Sequence, residues 1–187
     1  LAPDGQRWGA RFPDVTIRDQ VRLQMRLADH LGIRSIRFVI GGSMGGLAAL
    51  EWALMDAERV QAVVSIAASG RHSAWCMAWS EAQRLALQAD PRFHRGQYLP
   101  SEPPVRGLAA ARAAAMISYR SPVSLEGRFG RASAQEVFAE QTRAPDDLAV
   151  RDWLRHHGQA LASRFDANSY LALLNAMDSH DLGRWRG

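Results

Sequence analysis

Ser43 is the residue whose surroundings most clearly indicate chemistry, because it lies in the sequence Gly-Gly-Ser-Met-Gly-Gly at 41–46. A β-branched and aromatic run at 36–40 precedes this sequence, and an Ala- and Leu-rich pattern at 47–55 follows it. A G-x-S-x-G sequence between a strand and a helix is typical of a nucleophilic serine, since the tight turn exposes its hydroxyl. The backbone N–H of Met44 would then donate to a developing oxyanion. The alternatives are a turn without a chemical role, or a glycine-rich loop that binds a phosphate at a helix N-terminus. The sequence lacks the residue spacing of a P-loop or of a dinucleotide-binding motif, so we predict that Ser43 is a nucleophile.

A second candidate is Arg112, which stands alone among small apolar residues in the helix-like segment 108–117. A guanidinium in such a segment must find an acceptor or reach water. It could bind a substrate carboxylate through two parallel hydrogen bonds, or it could form an ion pair with an Asp or Glu of this chain. Tyr119 follows two helical turns later on the same face and could offer its hydroxyl to the same ligand, although packing is the commoner role.

The elements that must position these residues are read from hydrophobic periodicity. A capping-box pattern at Thr16 and Asp19 begins a helix that Gly32 ends, and strands are predicted at 36–40 and 60–68 with a helix between them. The second strand is almost wholly apolar at its centre, which predicts that both faces of the sheet are covered. After Gly70 we predict only helices, at 74–89, 107–119, 124–129, 147–163 and 167–177.

This order of elements predicts an α/β fold. Its strands would form part of an α/β-hydrolase parallel sheet, and its later helices an inserted all-helical lid. The expected division is a core segment at 1–70, which carries the nucleophile elbow, and a lid domain at 71–187.

A serine nucleophile needs a histidine base and an orienting acid, which in such a sheet follow later strands. Only His72 comes after a strand-like run, and it comes too soon. We therefore expect the acid and the histidine to lie after Gly187. For the candidate histidines we expect surface or satisfied polar positions; these are His72, His94, His156, His157 and His180.

The composition limits the classes of molecule that this protein is expected to bind. All 23 basic residues are Arg, and they are scattered among acidic residues to give a net charge of +4, so we predict no nucleic-acid partner. The apolar runs are too short to cross a bilayer, which predicts no membrane partner. The single cysteine, Cys76, excludes an internal disulfide and fits a reducing cytoplasm. No His, Cys or Asp cluster has metal-ligand spacing, so no metal site is expected. The start at Leu1, with neither an initiator Met nor a signal peptide, leads us to expect a longer polypeptide.

Six segments in order resemble the homoserine O-acetyltransferases of the α/β-hydrolase superfamily. They are residues 12–19, the elbow at 41–46 followed by 50–53, 111–121, 128–131, 164–170 and 178–181. The resemblance covers nearly the whole chain, and together the six matches are far more specific than the elbow alone.

The resemblance implies ping-pong acyl transfer. Ser43 would take an acetyl group from acetyl-CoA, with Met44 as oxyanion donor, and pass it to the hydroxyl of L-homoserine. Arg112 matches the carboxylate-binding position and Tyr119 a weaker substrate contact. The resemblance also implies a cytoplasmic homodimer that acts in methionine biosynthesis and has no bound cofactor. It places the family's catalytic acid and His-Asp pair after this chain. The family's first strands and its second oxyanion donor would come before this chain. His180 and the Asp that follows it would not be that pair, and the chain alone would be inactive.

Two departures from the family pattern leave the substrate open. The segment 75–84 differs from the asparagine-containing segment of bacterial members, and Ala113 stands where the family usually has Met. Alternatives are therefore a serine O-acyltransferase, a homoserine O-succinyltransferase, a deacetylcephalosporin C acetyltransferase or an esterase on the same elbow. A non-enzymatic role for the helical lid as an interaction surface is a further hypothesis.

Overall fold

The computed structural model describes residues 1–142 and 144–184. Within these ranges the chain forms two strands, β1 (Val39–Gly42) and β2 (Val63–Ile66), and eight α-helices. The helices are α1 (Ile17–His30), α2 (Met44–Met55), α3 (Ala74–Gln88), α4 (Val105–Ser118), α5 (Pro122–Phe129), α6 (Ala134–Phe138), α7 (Ala149–Ala162) and α8 (Ala167–Asp178). Short 3-10 helices occupy Gly9–Arg11, Pro91–Gly96 and Ala139–Gln141.

The chain divides into two compact units. The strand unit comprises residues 12–77 and the segment from Ala172 onward, and the helical unit comprises residues 1–11 and 78–171. The division therefore differs at its edges from the one expected after Gly70. The first eleven residues belong with the later helices, and the last helical turns of α8 belong with the strands.

The strand unit is built on a parallel pair in which β1 and β2 align Val39 with Val63 and Gly41 with Ser65. α1 begins with the predicted capping box, because the Thr16 side chain accepts from the Asp19 N–H and the Asp19 carboxylate accepts from the Thr16 N–H. α1 and α2 bury a shared core against one face of the strands. This core consists of Val21, Ala28 and Trp52, with Ile36, Val39 and Val60 packed around it.

The expectation that both faces of the sheet are covered is wrong for the described residues. Ile40 is 65% exposed and Ile66 56% exposed, since α1 and α2 pack on the face that carries Val39. Both strands are also shorter than predicted, although a bridge between Ile36 and Val60 extends their pairing toward the expected starts.

The helical unit is held together by α4 and α7, which approach closely. A Cβ at Gly158 of α7 would lie 2.5 Å from the carbonyl oxygen of Ala109 in α4, so only glycine allows this contact. A second core lies alongside, in which Met116 of α4 packs with Phe129 and Trp153. α6 was not expected from periodicity. Its signal is the capping box formed by Ser133 and Glu136, a sequence pattern that by itself marks a helix start.

Within the described ranges, no helix has the length and apolar character that crossing a bilayer would require.

Candidate active site

Ser43 lies between β1 and α2 with φ 53° and ψ −123°, a backbone conformation that non-glycine residues rarely adopt. Its N–H donates to the carbonyl of Ile66 in β2 (2.9 Å), and its own carbonyl accepts from the N–H groups of Gly46 (2.8 Å) and Leu47 (3.1 Å). The side chain is exposed and makes no capping hydrogen bond to α2. Backbone hydrogen bonds thus hold the turn on both sides, and the Ser43 side chain is exposed. This is the geometry that a nucleophile elbow requires, and the assignment of Ser43 as the nucleophile stays a prediction.

Two glycines allow β1 and α2 to meet at this turn. A Cβ at Gly41 would lie 2.0 Å from the carbonyl oxygen of Gly45, and a Cβ at Gly46 would lie 2.7 Å from the Cβ of Ala68. Ser65 of β2 adds a hydrogen bond from its hydroxyl to the Gly46 carbonyl (3.2 Å). The close packing fixes where the Ser43 backbone lies relative to the strand ends.

Met44 is the first residue of α2, so its N–H belongs to the first turn, where intrahelical acceptors are missing. Its half-buried side chain packs beside a core of Ile17, Leu47 and Ala176, which fixes the start of the helix. An N–H in this position, directly after Ser43, has the location required of an oxyanion donor if Ser43 is the nucleophile, and the assignment of Met44 to that role stays a prediction.

The strand unit contains a His–Asp pair that sequence reasoning did not anticipate. Nδ1 of His72 lies 3.0 Å from Oδ1 of Asp178, and both side chains are largely buried. The pair joins the loop after β2 to the end of α8, where the backbone N–H of His72 also donates to the carbonyl of His180. Its geometry is that of a structural tie between two chain segments.

His180 departs from the expected surface or satisfied position. It is 4% exposed, and neither ring nitrogen has a hydrogen-bond partner among the described residues. Its polar neighbours are the carboxylate of Glu51, 3.8 Å from Nδ1, and the backbone of Ser69. Burial lowers the pKa of His180 despite the opposing effect of Glu51, so the ring is neutral at pH 7.

Glu51 connects α2 to α1 through a buried ion pair with Arg18. It is 1% exposed, and both of its carboxylate oxygens accept from Nε of Arg18 at 3.1 and 3.2 Å. The other guanidinium nitrogens of Arg18 donate to the carbonyls of Asp181 and Arg184, each at 2.7 Å. The buried Glu51 side chain of α2 is thus tied to α1 and, through Arg18, to the segment after α8.

In the helical unit, Arg112 and Tyr119 are brought together as the sequence predicted. Nη1 of Arg112 donates to the Tyr119 hydroxyl (3.2 Å), and the guanidinium lies 5.3 Å from the centre of the Tyr119 ring. The alternative of an ion pair with an Asp or Glu does not occur among the described residues. The remaining N–H groups of Arg112 are therefore available to an anionic ligand, and this role stays a prediction.

Tyr170 is a neighbour of this pair that sequence reasoning missed. Its hydroxyl donates to Oε1 of the buried Gln83 (2.6 Å), whose Nε2 in turn donates to the Trp79 carbonyl (2.8 Å). Burial raises the pKa of Tyr170 to about 12, with smaller and opposing effects from Tyr119 and Arg112. The tyrosine is therefore neutral at pH 7. Nothing in the local sequence marks it, because its partner lies 87 residues away.

A family model described as the alpha/beta hydrolase fold matches residues 3–170. The chain belongs to the α/β hydrolase fold family. This agrees with the strand, turn and helix around Ser43, and the predicted fold class is confirmed.

Curated relatives confirm the resemblance read from the six segments. Homoserine O-acetyltransferase from Trichormus variabilis is 52% identical over 182 residues, which are 97% of this chain and 48% of the relative. Homoserine O-acetyltransferase from Salinibacter ruber is 49% identical, with 99% of this chain and 52% of the relative covered. This α/β-hydrolase chain therefore spans about half the length of the curated relatives it matches.

Solved structures of the same fold carry two kinds of name. A crystal structure of an esterase superimposes with a TM-score of 0.82 at 30% identity, covering 98% of this chain and 50% of the esterase. Homoserine O-acetyltransferase from Staphylococcus aureus gives a TM-score of 0.70 at 30% identity, covering 94% of this chain and 45% of that enzyme.

Among the described residues, no group of three or more His, Cys, Asp and Glu side chains could hold a metal ion.

Proposed function

We propose that the full-length natural protein containing this chain is a homoserine O-acetyltransferase that moves an acetyl group from acetyl-CoA to L-homoserine. The observation that carries the proposal is the geometry of Ser43, an exposed hydroxyl on a turn with φ 53° between a parallel strand and a helix. The names of relatives that are 52% and 49% identical support the choice of reaction.

The reaction would proceed in two steps through an acetylated serine. In the first step, Oγ of Ser43 attacks the thioester carbonyl, and the backbone N–H of Met44 donates to the oxyanion that forms. The C–S bond then breaks, CoA leaves as the thiol, and the proton lost by Ser43 ends on its sulfur. In the second step, the homoserine hydroxyl attacks the acetyl ester, its proton returns to Ser43, and O-acetylhomoserine leaves.

Arg112 would hold the acceptor during the second step. Nη1 of its guanidinium donates to the Tyr119 hydroxyl. The other N–H groups of the guanidinium could bind a carboxylate, which matches their fork geometry. The Tyr119 hydroxyl both accepts from Arg112 and can donate to the same carboxylate. An acceptor without a carboxylate would leave these donors unpaired, so the pair favours an amino-acid substrate over a simple alcohol.

The remaining features of the proposal follow from the family resemblance. The enzyme would act in the cytoplasm as a homodimer in methionine biosynthesis, on small-molecule substrates and with no resident cofactor or metal. Acetyl-CoA would be a substrate that leaves as CoA in each cycle.

The decisive experiment mixes the full-length protein with acetyl-CoA alone and measures its intact mass. We expect an acetyl adduct that maps to Ser43 and is absent from Ser43→Ala. Addition of L-homoserine should discharge it as O-acetylhomoserine. The proposal fails if no adduct forms, or if the adduct forms equally in Ser43→Ala.

The second candidate is an esterase, which the 30% identical esterase structure favours. Water would then replace homoserine in the second step, and the adduct would decay at the same rate with or without the amino acid. The same mass experiment separates the other acceptors and donors, because L-serine, deacetylcephalosporin C and succinyl-CoA can each be substituted in turn. For the transferase, Arg112→Lys should raise the KM for homoserine while leaving the rate of adduct formation unchanged, because Lys cannot offer the bidentate fork.

A further inference from the structure

Ala67, the first residue after β2, lies beside Ser43 in the strand unit. Gly42 of β1 is aligned with Ile66 of β2, so the residues that follow them, Ser43 and Ala67, leave the parallel pair side by side. The N–H of Ser43 donates to the carbonyl of Ile66 (2.9 Å), and the nitrogen of Ala67 is bonded to the carbon of that carbonyl. The two backbones are therefore neighbours, at about the 4.8 Å spacing of paired strands.

Ser43 and Ala67 also share an unusual backbone conformation. The angle φ is 53° at Ser43 and 52° at Ala67, in the left-handed region that glycine adopts freely and residues with a Cβ adopt only with strain. Strain of this kind concentrates at functional sites, where the surrounding structure fixes it. At Ser43 the strained turn carries a hydroxyl, and at Ala67 it carries a methyl group that glycine would lack.

The next residue, Ala68, packs differently from Ala67. Ala68 lies against the core that contains Leu47 of α2, and its Cβ would be 2.7 Å from a Cβ at Gly46. Ala67 is exposed, as Ser43 is. Ala68 therefore anchors this loop against α2, which leaves the methyl group of Ala67 outside the core and at the same edge of the strands as Ser43.

We propose that the methyl group of Ala67 limits the size of the acyl group that Ser43 carries, so that acetyl is favoured over longer groups such as succinyl. This inference rests on the proposed function, in which Oγ of Ser43 is acylated, and it names a residue that selects the donor. A methyl group held by a strained backbone has no side-chain rotation by which it could move away from a longer acyl chain. Steric fit of this kind separates substrates that differ by a methylene group by tenfold or more, to within about an order of magnitude.

The test measures the acylation of Ser43 in the full-length protein by p-nitrophenyl acetate and p-nitrophenyl butyrate, which differ only in the length of the acyl chain. Oγ of Ser43 bonds to the acyl carbon, the bond from that carbon to the phenol oxygen breaks, p-nitrophenolate leaves and the serine proton passes to water. The burst of p-nitrophenolate gives the rate, and intact mass gives the adduct, which should be absent from Ser43→Ala. In Ala67→Gly the ratio of the butyrate rate to the acetate rate should rise by about tenfold.

Two further variants make the test specific to Ala67. Ala67→Asn should lower the ratio, because asparagine is larger than alanine and still tolerates a left-handed backbone. Ala139→Gly is the matched control, because Ala139 is also a left-handed alanine (φ 50°) but follows α6 in the helical unit. It relieves the same strain, so its ratio should stay within about twofold of wild type. Far-UV circular dichroism of each variant verifies that it is folded.

A ratio in Ala67→Gly within about twofold of wild type, or an equal rise in Ala139→Gly, would overturn the role of Ala67. This result is separable from failure of the proposed function. Adducts from both esters with an unchanged ratio refute the selection by Ala67 alone. A shifted ratio together with no adduct from acetyl-CoA refutes the acetyl-CoA donor alone. If neither ester acylates Ser43 in any variant, both proposals are refuted.

Discussion

Replacing Gly41 with alanine tests whether the close approach of β1 and α2 sets the position of Ser43. The added Cβ would lie 2.0 Å from the Gly45 carbonyl oxygen and 2.2 Å from its carbon. Both are backbone atoms at the start of α2, so no side-chain rotation relieves the contact. The helix would have to move away from the strand by more than an ångström.

The size of the effect follows from the atoms involved. Overpacking of a core typically costs about 1–3 kcal/mol, and a clash with backbone atoms belongs at the upper end of that range. We expect Gly41→Ala to lower the free energy of unfolding by about 3 kcal/mol. With a denaturant slope of about 3 kcal/mol per M, the urea midpoint would fall by about 1 M. A displacement of about 1 Å at a reacting group can reduce the rate about 100-fold, so acetyl-adduct formation on Ser43 should slow by that order.

Gly42→Ala is the matched control for stability. A Cβ at Gly42 would have no atom within 4 Å, and its backbone does not need a positive φ. Both substitutions remove the same conformational freedom from the unfolded chain, so that contribution cancels when they are compared. Urea unfolding of the full-length protein, followed by circular dichroism, gives the difference directly. If the two variants unfold within about 0.5 kcal/mol of each other, the close approach at Gly41 does not constrain the turn.

Three further predictions concern the strand unit. Glu51→Gln leaves the buried charge of Arg18 without its carboxylate and should lower the free energy of unfolding in urea by about 3 kcal/mol. Arg22→Gln removes an exposed ion pair and should lower it by under about 1 kcal/mol. Equal losses in the two variants would contradict the role of burial. Burial lowers the pKa of His180 in the folded state, so the unfolded chain binds more protons below about pH 6.5. The free energy of unfolding therefore falls as the pH drops. This fall should be smaller in His180→Gln, and a pH profile of stability that is unchanged in the variant would refute the prediction. Thr16→Ala removes the capping box of α1 and should lower the free energy of unfolding by about 1 kcal/mol, measured by the same unfolding experiment. A loss near zero would show that the cap is dispensable.

Local signals in the sequence predicted local structure well. The capping pattern at Thr16 and Asp19 begins α1 within one residue of the expected place, and the strand and helix around Ser43 form where glycine spacing required them. Arg112 and Tyr119 meet because residues seven apart share one helical face, which is a property of the helix alone.

Other features depended on contacts that no local pattern reports. The short α6 was missed because it has too few residues to show a periodicity, although Ser133 and Glu136 carried its capping signal. Apolar strand centres predicted covering layers on both faces, yet periodicity cannot say which elements supply them, and Ile40 and Ile66 are exposed in this chain. The pairing of His72 with Asp178 could not be foreseen, since 106 residues separate them.

The sequence by itself therefore determined the turn that carries Ser43, the helix starts and the pairing of Arg112 with Tyr119, because these depend on the stereochemistry of a few consecutive residues. Tertiary structure alone decided the burial of His180 against Glu51, and it also lowers the pKa of His157 through burial and through charges that include those of Arg112, Arg120 and Arg128. Burial and the sum of charges at a point depend on which distant segments pack together, and that packing sets the protonation state of both histidines.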